Sequence, residues 1–330
     1  MKVDYLVVGA GLTGATIARV LADSGRDVLV VDRRPHVGGN VRDEVHPCGV
    51  RYNLYGPHYF RTNSDELWDW VRRFGEFRPW AAHVQTLVDG TPTRWPLCKG
   101  YRGHRGMQLH AIDAYNWKMW GAETPDEATA RGCFRDDGDD RLKLDKYQGL
   151  PVDGYSAWVR KMLERIPFIG NLADWRAWYG NSNTKTVYTG AIDEYYGYCY
   201  GELGYRGQKR ELVRRAYRQP FQPVVQVNLP SPDCGPIRCI EWNHMAAKPC
   251  WDAGSLLTYE TPWAPDTPDA QEYPVNTAAN KELYKKYRAR ADADDKLLVC
   301  GRLGEYKYMD MDAAIARALL LGRRLLKERP

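Results

Sequence analysis

Residues 5–32 constrain this chain more than any other stretch. An apolar run from Tyr5 to Val8 meets the turn Gly9-Ala10-Gly11-Leu12-Thr13-Gly14, an amphipathic segment to about Ala22, a second apolar run from Val28 to Val31, and Asp32. That order predicts strand, tight turn, helix, strand and acid, the front half of a dinucleotide-binding unit. Gly9 permits the turn, Gly11 lets the backbone approach a pyrophosphate, and Gly14 lets helix and strand pack closely. The helix N-terminus offers amide N–H groups to phosphate oxygens. Asp32, eighteen residues beyond Gly14, is placed to accept hydrogen bonds from a ribose diol.

Arg33 and Arg34 follow the acid and could neutralise a 2′-phosphate, but Asp32 would repel one, so an unphosphorylated adenosine half is the better fit. Six residues after Asp32 comes Gly38-Gly39-Asn40, which resembles the extended fingerprint of FAD-binding two-dinucleotide flavoproteins. That glycine pair would equally suit an ordinary loop.

Composition narrows the function classes. With 330 residues there is room for two or three domains. A net charge of +5 with dispersed Lys and Arg favours an anionic small ligand over a nucleic-acid track. Eight cysteines form no CxxC pair and the chain opens on its cofactor strand, so reduced thiols and a cytoplasmic location are expected. No apolar run approaches the roughly eighteen residues a membrane helix needs, so no membrane partner is expected. Twelve Trp and twenty-two Tyr stand against six Phe, and rings with polar tips suit sugars, nucleobases and wet interfaces. Many would equally cap the core.

The chain therefore reads as α/β: a Rossmann-like, two-dinucleotide-binding domain with an inserted helical region and a β-sheet substrate domain. The nucleotide domain is expected from residues 1–62, 185–207 and 290–330, with strands at Lys185 to Gly190 and Lys296 to Cys300. The helical insert is expected over 63–145 and the substrate sheet over 208–289, with strands near Val224 to Asn228, Ile237 to Glu241 and Leu256 to Glu260. Met311 to Lys327 reads as a strongly amphipathic terminal helix.

The chain resembles the UDP-galactopyranose mutases, flavoenzymes that interconvert the galactopyranose and galactofuranose rings of a nucleotide sugar. The resemblance rests on ordered blocks: Gly9 to Gly14; Gly38-Gly39-Asn40; Tyr55-Gly56-Pro57-His58; Tyr147 to Pro151; Val187 to Gly190; Arg238 with Ile240-Glu241; Tyr273-Pro274-Val275-Asn276; Gly301-Arg302-Leu303; and Glu305 to Tyr308 with Asp310-Met311. It implies FAD, active when reduced, held by Gly9, Gly11, Gly14, Asp32, Arg33, Gly38, Gly39 and Asn40, with Arg302 and Asp310 at the nucleotide-domain side of the cleft. It implies that Arg135 and Arg238 clamp the substrate diphosphate, that Tyr273 and Tyr308 donate hydroxyls to it, and that His58 faces the flavin. Tyr147, Trp120 and Asn276 join the substrate-binding set, with Trp117 or Trp120 either stacking on the base or packing in the core. The implied reaction is an isomerisation, in which reduced flavin attacks the anomeric carbon while the diphosphate leaves and later returns. A homodimer is within the family's range.

The chain also departs from that pattern. It is shorter between about Trp95 and Tyr115, carries Arg61 where the family has a histidine, and reads Trp80-Ala81-Ala82-His83 at the sugar-side asparagine region. The substrate could then be UDP-galactose-like or a GDP-hexose. Asp136, Asp137, Asp139 and Asp140 beside Arg135 read either as a solvated turn or as oxygen ligands for Mg²⁺ or Mn²⁺, which would drive the same isomerisation without flavin. A flavin amine oxidase or desaturase would share the opening fingerprint, and a nucleotide-sugar binder without chemistry would share the fold.

Overall fold

The computed structural model describes residues 3–98, 100, 106, 108–121, 134–135, 137–178 and 184–327. Its nucleotide domain is built on a five-stranded sheet in the order Phe168–Ile169, Val28–Val31, Tyr5–Val8, Lys185–Tyr188, Leu297–Val299, with every pairing parallel. The two opening strands are buried at all four positions, as a parallel sheet covered on both faces requires. Alternate residues feed two separate cores. Tyr5, Val7, Val28 and Val30 pack under the helices Leu12–Asp23, Tyr155–Met162 and Met311–Lys327. Leu6, Val8, Leu29 and Val31 pack on the other face with Ile192, Tyr287 and Ala291. Each fully buried Val or Leu among them contributes about 1.5–3 kcal/mol.

The second large sheet, expected from the sequence as a substrate sheet, has seven strands, in the order Tyr273–Pro274, Tyr205–Arg215, Ser255–Trp263, Arg238–Glu241, Gln226–Asn228, Val84–Val88, Thr91–Trp95. Its pairings are antiparallel except Gln226–Asn228 on Val84–Val88. This corrects the helical reading of residues 63–145. One helix of that stretch, Asp65–Arg72, begins where expected, because Ser64 accepts from the Leu67 amide at 3.1 Å and two acids fill its first turn. The following segment instead alternates buried and half-buried positions from Val84 to Val88, the two-residue period of a strand. A separate three-stranded antiparallel sheet pairs Phe60–Thr62, Tyr147–Pro151 and Phe77–Pro79, and its Phe60, Phe77 and Leu150 pack into the first core.

One buried carboxylate organises the far end of the second large sheet. Glu241, fully buried, accepts from the amides of Phe221 (3.0 Å) and Gln222 (2.9 Å), from Trp251 Nε1 (2.8 Å) and from Ser255 Oγ (2.6 Å). Burial opposes its charge, but His244, Ser255 and the two amides outweigh it and hold the carboxyl down at about 2. Its folded pKa lies below the unfolded value of 4.5, so its stabilisation is complete above pH 4.5 and is lost as pH falls toward 2. Glu241→Ala is expected to cost about 3–5 kcal/mol by leaving several buried donors unpaired, read as a lower urea midpoint at neutral pH.

Candidate functional site

Two adjoining cavities meet at the C-terminal edge of the parallel sheet. The first is lined by Gly9, Gly11, Asp32, Arg33, Arg34, Gly38, Gly39 and Asn40. Gly11 caps the helix Leu12–Asp23 without a side chain, leaving its first amides facing that cavity. The Gly38-Gly39 loop, at φ +99° and +53°, passes so close that a Cβ on Gly39 would lie 2.8 Å from the Gly11 Cα. Asp32 is buried, its carboxylate fixed by the amides of Ala10 (2.7 Å) and Arg34 (2.8 Å). Arg33 is matched by Glu194 at 2.5 Å and Asp269 at 3.6 Å, so its charge is already balanced where a 2′-phosphate would need it. A side-chain-free passage over helix amides, next to a fixed carboxylate, suits the pyrophosphate and ribose of an unphosphorylated dinucleotide.

The second cavity, about 380 Å³, is lined by His58, Arg61, Trp80, Gln148, Gln226, Arg238, Tyr273 and Tyr308, among others. His58, Arg302 and Met311 line both cavities and form the wall between them. Tyr273 and Tyr308 stack with ring centres 6.0 Å apart, and the Arg302 guanidinium lies 5.4 and 5.0 Å from the two centres. Arg302 is held by Met309 O at 2.7 Å. The Tyr308 hydroxyl donates to Asp310 at 2.9 Å, and Asp310 in turn pairs with Arg61.

Arg238 sits on a buried chain of alternating charge. Its Nε donates to Glu260, which is fully buried and accepts Arg210 Nε at 2.9 Å on its other oxygen. The terminal nitrogens of Arg210 form a fork on Glu272, 2.7 Å to each oxygen. Sheet register sets this up, since both Arg238 and Arg210 lie opposite Glu260 on flanking strands. Burial opposes each charge, yet the two arginines hold Glu260 below the usual carboxylate range, and Glu260 keeps Arg238 well above the usual guanidinium value.

His58 is tuned the other way. Burial first, then the guanidiniums of Arg302 and Arg210, pull its imidazole down to about 3. Its Nδ1 lies 2.7 Å from Gly56 O, and a carbonyl only accepts, so Nδ1 carries the proton and Nε2 is left as an acceptor. Between pH 6.5 and about 3 the unfolded chain binds a proton here that the folded chain refuses, so stability falls as pH drops through that window and is unaffected above it. His58→Asn is expected to flatten this limb of stability against pH, checked by urea titrations at a series of pH values.

Several expected site residues lie elsewhere. Arg135 is not brought to the cleft: its guanidinium is taken by the carbonyls of Asp139 (2.8 Å) and Arg141 (2.6 Å) and by Asp137 at 3.1 Å, so it braces its own loop. Tyr147 stacks on Trp68 with centres 5.0 Å apart and donates to Asp65 at 2.8 Å, turning away from the cleft that Gln148 lines. Asn276 is half-buried at the start of the helix Ala278–Asp292 and lines neither cavity. Asp310 belongs to the cleft and not to the dinucleotide cavity. Trp120 sits edge-on to Tyr273 at 6.5 Å, while Trp117 is exposed.

The described acids of the acidic turn do not gather into a metal site. Asp139 pairs with Arg141, Asp140 with His83 at 3.1 Å and Asp137 with Arg135, while Asp136 lies outside the described residues. Among the described residues no group of three His, Cys, Asp or Glu could hold a metal ion. Likewise, no described helix is long and apolar enough to cross a membrane. The residues that sequence reasoning missed are Arg210, Glu260, Glu272 and Gln226. Their one local signal was charged or polar side chains at strand positions, and that shows only once the strands are in register.

Comparison with known proteins matches this arrangement along most of the chain. Residues 7–74 match the NAD(P)-binding Rossmann-like domain, and residues 110–308 match the UDP-galactopyranose mutase family. A probable UDP-galactopyranose mutase of Klebsiella pneumoniae is 28% identical, covering 96% of this chain and 93% of the relative. A dTDP-fucopyranose mutase of Escherichia coli is also 28% identical, covering 95% and 96%. Among solved structures, a reduced UDP-galactopyranose mutase superposes with a TM-score of 0.73 at 13% identity, covering 99% of this chain and 96% of that one. The 110–308 match spans more than half of the chain and takes in Arg238, Tyr273, Arg302 and Tyr308, well beyond the dinucleotide fingerprint, so this chain belongs to the UDP-galactopyranose mutase family.

Proposed function

We propose that this chain is an isomerase interconverting the pyranose and furanose forms of a nucleoside-diphosphate hexose, with reduced FAD in the glycine-lined cavity. The observation that carries this reading is the shared wall: His58, Arg302 and Met311 belong at once to a dinucleotide cavity and to a cationic cleft. A sugar in the cleft would have its anomeric carbon beside the flavin, and the flavin, when bound and reduced, supplies a nucleophilic ring nitrogen.

The chain's own residues do the rest. Arg238, half-buried and permanently charged, would hold the diphosphate through its planar fork as negative charge develops on it. Tyr273 would donate to the same oxygens, as would Tyr308 on turning its single hydroxyl proton from Asp310 to the ligand, and Arg302, packed on both rings, would add a second charge. His58, neutral, would accept from a sugar hydroxyl without placing another charge at the wall. Trp80, Gln148 and Gln226 line the part of the cleft left for the hexose. Trp120, edge-on to Tyr273, would stack on the base.

The test is to incubate purified protein with UDP-, GDP- and dTDP-hexoses, with and without dithionite and with and without Mn²⁺, and to separate pyranose from furanose products. The expected result is a yellow protein that converts a nucleotide sugar only once reduced and is indifferent to Mn²⁺. Conversion by colourless protein supplied with Mn²⁺ would reject the flavin. Tight binding with no ring contraction would reject catalysis.

A further inference from the structure

The charge chain behind Arg238 does more than bury two ion pairs. Glu260 has two oxygens and is fully buried, and each oxygen is taken by one arginine. Were Arg210 absent, both oxygens would be open to Arg238, and a guanidinium beside a bare buried carboxylate folds onto it as a two-pronged pair. Its terminal nitrogens would then be turned from the cleft toward the sheet. Arg210 prevents this by occupying Glu260 Oε1 through its Nε while its terminal nitrogens are anchored on Glu272.

Arg210 also reaches the other parts of the site. Glu272 immediately precedes Tyr273, and its carbonyl lies 3.4 Å from an Arg302 terminal nitrogen. A Cβ on Gly56, at φ +89°, would meet Glu260 Oε1 at 2.6 Å, Arg210 Nη2 at 3.3 Å and Arg238 Nη2 at 3.5 Å. The loop that presents His58 therefore lies directly on this network, at a residue with no side chain. Arg210 is itself absent from the cleft lining; it meets the site through Glu260, Glu272 and the Gly56 loop, and its charge also reaches His58.

From this geometry we infer that Arg210 is a positioning residue: by occupying one oxygen of Glu260 and anchoring on Glu272, it keeps the Arg238 guanidinium presented to a nucleoside diphosphate. The inference rests on the function proposed above and names the device that orients its diphosphate site. It separates Arg210, which acts through Glu260, from Arg238, which would touch the ligand.

The test compares dissociation constants for UDP, GDP and dTDP, and kcat against KM for whichever nucleotide sugar turns over, in the flavin-loaded full chain. Removing Arg210 alone would orphan Glu272, so the informative variant is Arg210→Met with Glu272→Gln, which deletes one charge of each sign. Because Glu272 also lines the dinucleotide cavity, flavin content is measured in parallel and affinities are compared on flavin-loaded protein only; that protein should weaken nucleoside diphosphate binding tenfold or more and raise KM more than it lowers kcat. Adding Glu260→Gln removes the carboxylate that captures Arg238 and should restore binding to within a few-fold of the parent, whereas a merely structural role predicts a further loss. Arg210→Lys keeps the charge but cannot hold Glu260 and both Glu272 oxygens together. It should fall between, and it gives the same reading if the double variant does not accumulate. Unchanged affinity in the double or lysine variant, or no recovery in the triple, overturns the inference. A parent protein that binds none of the three nucleotides overturns both this and the proposed function.

Discussion

Arg238→Ala is expected to lower kcat/KM for the nucleotide sugar by roughly 10²- to 10³-fold while the protein stays folded and yellow. Removing one pre-aimed donor from a site where charge develops typically costs about 2.7–4 kcal/mol. The structure argues for the upper part of that range. Arg238 is the cleft arginine tied to a fully buried carboxylate, and Glu260 would keep Arg210 at 2.9 Å after the substitution, which limits collateral unfolding. Tyr308, by contrast, is about half exposed, so Tyr308→Phe should cost less, on the order of a single hydrogen bond or about 0.5–1.5 kcal/mol. Steady-state kinetics with flavin content measured in parallel checks both. Equal effects of the two substitutions would show that buried charge is not the main grip on the diphosphate.

Gly14→Ala should abolish flavin retention and lower the melting temperature sharply. A Cβ there would lie 1.9 Å from the Gly9 carbonyl oxygen and 3.2 Å from Val7 Cγ1. Neither neighbour can yield. Gly9 is bonded through its amide to Val31 O at 2.8 Å, and its own Cβ position is filled by the Thr189 hydroxyl at 1.9 Å. The helix Leu12–Asp23 must then lift from the sheet, taking its first amides away from the pyrophosphate path and opening a core whose Ala15, Ile17 and Ala18 are fully buried. Gly25→Ala is the control: its φ is +77°, but no atom lies within 4 Å of the added carbon, so strain alone costs about 1–2 kcal/mol. Purification of both variants with flavin-to-protein ratios and thermal melts distinguishes close packing from backbone strain. A yellow Gly14→Ala protein would contradict the proposed packing of helix on strand.

The two predictions differ in how readable their residues were. The Gly9 to Gly14 turn, Asp32 and the flanking strands are contiguous; Gly14 is required by the Gly9 carbonyl within the same unit, Gly9 by its left-handed φ and the Thr189 side chain, and Gly11 by the close passage of Gly39. Local spacing is enough to find them. Arg238, Tyr273 and Tyr308 were found through ordered family blocks, and they do share one cleft. Tyr147 belongs to one of those blocks and Arg135 was placed by its distance from it, and yet they face Trp68 and Asp65 in one case, and Asp139 and Arg141 in the other. A block match fixes a residue's position on its strand. It does not say which neighbour will claim its guanidinium or hydroxyl.

The helical reading of 63–145 holds at Asp65–Arg72 and Ala114–Trp120 and fails from Phe77 to Cys98. Val84–Val88 and Thr91–Trp95 form a hairpin around Asp89-Gly90, a local turn signal that the aromatic-rich context overshadowed, while the other partner of Val84–Val88, Gln226–Asn228, lies far along the chain.

Short-range order along the chain was thus sufficient to specify the dinucleotide half: a parallel sheet whose two opening strands are apolar throughout because both faces are covered, and a glycine turn whose spacing leaves no room for side chains. The ligand-facing chemistry depended on long-range assembly. Glu260 comes between Arg238 and Arg210 because two strands, entering from opposite sides, both place an arginine across from it, and Glu272 completes the chain from a third. Burial then makes that arrangement consequential, since a carboxylate without water must share its two oxygens among whatever cations the fold supplies, and how it shares them sets where Arg238 points.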